Sequence, residues 1–197
     1  MRIRTVAVIG AGCLGSTIAT ESALAGYATV LEDTLQSALE RALSRIERSL
    51  AELVIRRCPT IESKAAARAR ISTTTKIEDA CRRADLLIEA LPEDLETQLE
   101  IFTIFDRFAR PGAIFVTAST QAAVADLAEI TCCPEFCAAM RFSDEDGVPC
   151  VSVVSTAATG RSTVEACAEF GERLGRRVAI VRETSGSTSS TIGSELH

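Results

Sequence analysis

Residues 6–15 read VAVIGAGCLG, an apolar run that passes straight into Gly10-x-Gly12-x-x-Gly15. Val6 to Ile9 suit a strand buried on both faces, and Leu14 to Ala25 continue as a helix whose first turn faces the glycine loop. Gly10 permits the tight turn, Gly12 lets the backbone approach a pyrophosphate, and Gly15 lets the helix pack against the strand. The N–H groups of Cys13 and Leu14, at the positive end of the helix dipole, suit phosphate oxygens. A second apolar run, Ala28 to Leu31, ends at Glu32 and Asp33. An acidic residue at about this distance from the first glycine caps the adenosine ribose hydroxyls and repels a 2′-phosphate, so NAD is expected over NADP. The alternative is a structural glycine turn in some other α/β protein, and the acid at position 33 argues against it.

The rest of the chain repeats the alternation. Helical spacing runs from Leu35 to Arg57, Pro59 and Thr60 mark a break, and a short helix reaches Ala69. Strands are expected at Arg70–Thr73, Ala84–Leu91, Ala113–Val116, Phe136–Phe142, Cys150–Val154 and Arg177–Val181. Helices are expected at Ile77–Arg83, Asp94–Arg107, Gln121–Ile130 and Ser162–Leu174, the second with Leu95, Leu99, Phe102 and Phe105 on one side. The pattern predicts a doubly wound, mostly parallel Rossmann sheet in one domain over 1–183. Residues 184–197, rich in Ser, Thr and Gly, are expected to form a loose tail.

At 197 residues and 47% hydrophobic, the chain can bury a core without disulfides or a metal. A net charge of −6 with no basic block disfavours nucleic acid. No apolar run reaches membrane-spanning length, and MRIRT leads directly into the first strand, so a cytoplasmic location is expected. Cys132, Cys133 and Cys137 are close in sequence but have no histidine nearby, and buried reduced thiols are expected rather than a metal site. The only histidine is the last residue, His197.

Ligands in such sheets bind at the carboxyl ends of the strands, which here carry Gly10–Gly15, Asp33, Ala90–Glu93, Val116–Thr120 and Arg141–Asp144. Taken with their order and intervals, the segments GAGCLG, TVLED, DLLIEALPEDLE, IFVTAST and MRFSDEDGVP resemble the NAD-binding domain of the L-3-hydroxyacyl-CoA dehydrogenase family. The resemblance runs from Val6 to about Gly186. It implies a cofactor site of Gly10, Gly12, Cys13, Leu14, Gly15, Asp33, Ala90, Leu91 and Glu93, with NAD as the cofactor. The family's substrate-facing serine falls on Thr120, its catalytic histidine on Arg141, and the asparagine three residues later on Asp144. The glutamate that orients the histidine falls on Val153, and a cofactor-holding lysine falls on Gln98.

The acid–base pair of the family is therefore missing, and an arginine, which stays protonated in proteins, cannot replace the histidine as a base. Arg141 is expected either to anchor a substrate group or to pair with Asp144, Glu145 or Asp146. Thr120 either faces the substrate or caps a helix starting near Gln121, and Glu93 either meets the cofactor or is solvated. The family's helical C-terminal domain would begin where this sequence ends, so a homo-oligomer or a partner subunit is expected to cover the cleft. Two functions remain open: an oxidoreductase acting on a hydroxyacyl thioester of CoA or a carrier protein, and a catalytically silent NAD-binding module.

Overall fold

The computed structural model describes residues 2–57 and 61–183. Elements alternate along the chain: β1 (Thr5–Ile9), α1 (Cys13–Leu24), β2 (Ala28–Glu32), α2 (Gln36–Arg57), α3 (Ile61–Ala69), β3 (Ile71–Thr74), α4 (Ile77–Arg83) and β4 (Leu86–Glu89). There follow α5 (Leu95–Phe108), β5 (Ile114–Thr117), α6 (Val124–Glu129), β6 (Cys137–Glu145), β7 (Val148–Ser155), α7 (Arg161–Arg173) and β8 (Arg177–Arg182). The strands form one sheet in the order β3-β2-β1-β4-β5-β6-β7-β8. The strand order reverses between β1 and β4, which opens a crevice at their carboxyl ends. The break at Pro59 and Thr60 and the tail at 184–197 lie outside the described residues.

Apolar residues divide between the two faces with the period of a strand. Val6 and Val8 pack with Ile18 of α1, Leu39 and Ile46 of α2 and Phe170 of α7. Ala7 and Ile9 pack on the opposite face with Cys81 of α4 and Phe102 and Phe105 of α5. Phe102, Phe105 and Phe115 form an aromatic cluster with ring centroids 5.5–6.4 Å apart. Leu95, expected on the same buried side, is instead 48% exposed in the first turn of α5. Cys81, Cys137, Cys150 and Cys167 are buried as expected, but Cys13 and Cys132 are exposed. Among the described residues no helix is long and apolar enough to cross a membrane, and no group of three or more Cys, His, Asp or Glu is arranged to hold a metal.

The sheet departs from parallel pairing at one place. β6 runs parallel to β5, with Thr117 level with Ala139, and its remaining six residues extend past the end of β5. β7 returns antiparallel to β6, joined by Asp146 and Gly147, both at positive φ (54° and 78°). That is the two-residue hairpin that an Asp-Gly pair favours. β6 and β7 are both longer than the apolar runs suggest because the polar tip residues pair across the turn, Glu145 with Val148 and Asp144 with Pro149.

Candidate functional site

The glycine loop is held by contacts that only glycine permits. A Cβ at Gly15 would lie 1.9 Å from the Gly10 carbonyl oxygen, so α1 approaches β1 too closely for any side chain. Gly10 has φ of 105°, and a Cβ there would lie 2.8 Å from the Ala90 carbonyl oxygen. Gly12 differs: a Cβ there meets nothing within 4 Å. It occupies the N-cap of α1, and no side chain caps the helix. Open space beside an uncapped helix start suits a phosphate. Cys13 and Leu14, the first two residues of α1, are both exposed at this end.

Asp33 joins the loop from β2. Its Oδ2 accepts a hydrogen bond from the Ala11 N–H at 3.0 Å, and its Oδ1 accepts from the Leu35 N–H at 3.0 Å. The carboxylate is thereby set beside the glycine turn, with further lone pairs free to accept from hydroxyls. Arg45 approaches from α2, 30 residues after Gly15 in sequence. It donates to the carbonyl of Ala11 and to the Ser16 hydroxyl. Cys13, Ser16, Thr17, Arg45, Arg48 and Ser49 line a cleft at this end. Arg45 carries no sequence signal, because a cation three turns along an amphipathic helix reads as a solvated position.

Two buried carboxyls lie at the ends of the strands that flank β1. Glu32 and Glu89 are both register partners of Ile9. Burial, with Asp33 and Glu78 nearby, pushes the Glu32 carboxyl from 4.5 up to about 7, and its Oε1 has no hydrogen-bond partner among the described residues. Burial also raises Glu89, although the Thr117 hydroxyl at 2.7 Å and the Leu91 N–H at 2.6 Å donate to it and partly offset the rise. Glu89 thus ties the Ala90–Glu93 loop to β5. The apolar run LLIE ending in an acid was a signal for it.

Glu93 and Thr120 are brought together. Glu93 Oε1 accepts both the Thr120 N–H, at 3.1 Å, and the Thr120 hydroxyl. These two bonds hold the Glu93 carboxyl below its ordinary range. Thr120 is not a helix cap: α6 begins at Val124 with Ala123 at the N-cap, and the Ser119 hydroxyl takes the N–H groups of Gln121 and Ala122. The 119–123 segment is a connection because those donors are satisfied locally, which delays the helix. Gln98, at the position the resemblance gives to a lysine, is buried with its Nε2 unpartnered among the described residues.

Arg141 is half-buried and stands apart. Asp144 accepts from the Gly147 N–H at 2.8 Å and Glu145 pairs with Arg177, so the ion pair expected on the hairpin is not made. Arg141 pairs across the ladder with Ser152, while Val153 pairs with Met140. Directly opposed residues share a face and neighbours alternate, so Arg141 and Val153 project from opposite faces. The histidine–glutamate contact that the resemblance implies for these positions cannot form in this hairpin.

Comparison with known proteins places the chain by sequence and by fold. Residues 5–184 match the family model of the 3-hydroxyacyl-CoA dehydrogenase NAD binding domain. The chain is 34% identical over 181 residues to a 3-hydroxybutyryl-CoA dehydrogenase of Bradyrhizobium diazoefficiens, covering 90% of this chain and 61% of that protein. It is 29% identical to the mitochondrial hydroxyacyl-coenzyme A dehydrogenase of Sus scrofa, covering 93% and 60%. The chain therefore spans about three fifths of the length of these relatives. The crystal structure of 3-hydroxybutyryl-CoA dehydrogenase from Escherichia coli superposes with a TM-score of 0.86 at 29% identity, covering 94% of this chain and 39% of that one. With this match over nearly the whole chain, the protein belongs to the 3-hydroxyacyl-CoA dehydrogenase family, as its NAD-binding domain.

Proposed function

We propose that this chain is the NAD(H)-binding part of an oxidoreductase acting on a hydroxyacyl group carried as a thioester of CoA or a carrier protein. The observation that carries the reading is the Asp33 carboxylate fixed on the Ala11 N–H beside a glycine loop whose Gly12 face is open. In this reading the α1 N-terminus holds the pyrophosphate, Asp33 the adenosine ribose, and the Ala90–Glu93 loop the nicotinamide end. Bound there, the nicotinamide supplies the hydride acceptor or donor. Thr120 donates its hydroxyl hydrogen bond to Glu93, which leaves its oxygen lone pairs to accept from a substrate hydroxyl. Arg45 and Arg48, lining the cleft beside the loop, suit an anionic handle on the substrate.

A second reading, a silent module that senses NAD(H) or assembles with a partner subunit or a second copy, is favoured by two observations. Position 141 offers no base, and β8 is an outer strand of the sheet whose Ile180 is 59% exposed. Calorimetric titration with NADH, with and without acetoacetyl-CoA, separates the readings. Binding of acetoacetyl-CoA to the NADH-loaded chain supports the first, NADH binding alone supports the second, and no binding of NADH refutes both.

A further inference from the structure

Arg141 lies two residues past Ala139, beyond the end of β5 and at the carboxyl side of the sheet where the cofactor reading places the nicotinamide. Register puts it on one face with Ala139, Ser152 and Val154. Ala139 and Val154 form a buried cluster with Val124, four residues after Thr120. The arginine therefore belongs to the face on which the start of α6 packs, the helix that follows the connection carrying Thr120.

Of its acidic neighbours on the hairpin, Asp144 accepts from the Gly147 N–H and Glu145 pairs with Arg177. Among the described residues Arg141 takes part in no ion pair, and its Nε is buried without a hydrogen-bond partner. Buried guanidinium donors in folded proteins are overwhelmingly partnered, so an orphan at the substrate end of the sheet points to a ligand. The planar fork matches a carboxylate bidentately, whereas a thioester or ketone oxygen is neutral and accepts less strongly. A phosphate dianion would call for further cations, and Arg177, which register puts on the same face through Cys150, is already paired with Glu145.

We infer that Arg141 takes a free carboxylate of the substrate. The inference rests on the NAD(H) reading proposed above. Its test is calorimetry on the full chain saturated with NADH, titrated with acetoacetate, with methyl acetoacetate, and with inorganic phosphate. Acetoacetate is expected to bind at least tenfold more tightly than its ester and than phosphate. Arg141→Met should abolish that difference, and Arg141→Lys should keep part of it. Equal binding of acid and ester by the wild-type chain overturns the inference without any variant, as does a preference that survives Arg141→Met. Phosphate binding as tightly as acetoacetate overturns the carboxylate assignment. Failure of NADH itself to bind is seen in the first step and overturns the cofactor reading together with what rests on it, whereas NADH binding without acid preference overturns this inference alone.

Discussion

Arg141 faces Ser152 across the β6–β7 ladder, and Val153 faces Met140. Opposed residues in such a ladder have Cβ atoms about 5 Å apart on one face. Arg141→His with Ser152→Glu is thus expected to set imidazole and carboxylate side by side. NMR titration should show that imidazole pKa about one unit above the value in Arg141→His alone. Arg141→His with Val153→Glu should show no such rise and should lose several kcal/mol of stability, because Val153 is fully buried and a carboxylate there is unpaired. Equal imidazole pKa values in the two double variants would refute the register.

The two glycines of the loop separate folding from binding. Gly15→Ala drives a methyl to 1.9 Å from a backbone oxygen, and a loss of more than about 3 kcal/mol is expected. Gly12→Ala meets nothing within 4 Å and should leave the melting temperature within a few degrees of wild type. It should nevertheless weaken NADH binding, since its methyl enters the open face offered to the pyrophosphate. Thermal melts with and without NADH measure both; unimpaired NADH binding by Gly12→Ala would place the pyrophosphate elsewhere.

Asp33→Asn removes the charge while leaving an oxygen to accept from one of the two backbone donors. Hydrogen bonds to a charged group contribute about 1.5–3 kcal/mol. NADH affinity should therefore fall by tenfold or more and the preference over NADPH should narrow. Paired titrations with NADH and NADPH check it, and an unchanged ratio would assign the discrimination to another residue.

Glu32 makes stability depend on pH. Its carboxyl titrates near 7 when folded and near 4.5 when unfolded, so the folded state holds the extra proton between those values. Stability from this group is complete below pH 4.5 and falls as pH rises through 7, by ~3 kcal/mol in all. Glu32→Gln should be more stable than wild type at pH 8 by about that amount and should lose the difference at pH 4.5. Denaturant titration of both proteins across this range measures the gap; a gap that does not widen with pH would show that Glu32 is ionised throughout.

Much of the sheet was legible in the sequence because its central strands are short apolar runs bounded by Gly, Pro and charged residues. β1, β4 and β5 are buried almost throughout, and their patterns needed no partner to be read. Helix ends were less legible: α6 begins three residues after the expected Gln121 because Ser119 satisfies the first donors itself. Arg45 and the Glu93–Thr120 bond were not legible at all, since each joins residues 27 or more positions apart.

The glycine triplet, the acid at 33 and the alternation of apolar runs determined from sequence alone that this chain forms a doubly wound sheet with a site for NAD at its carboxyl edge. Those features act locally: a glycine is required wherever its own backbone or its neighbour leaves no room for Cβ. Which residues meet at the substrate end was decided only by tertiary structure. The Asp146-Gly147 turn sets the β6–β7 register, and a slip of one residue would exchange the faces of Arg141 and Met140. Spacing along the chain cannot decide a face, because that depends on how two strands pair across a turn.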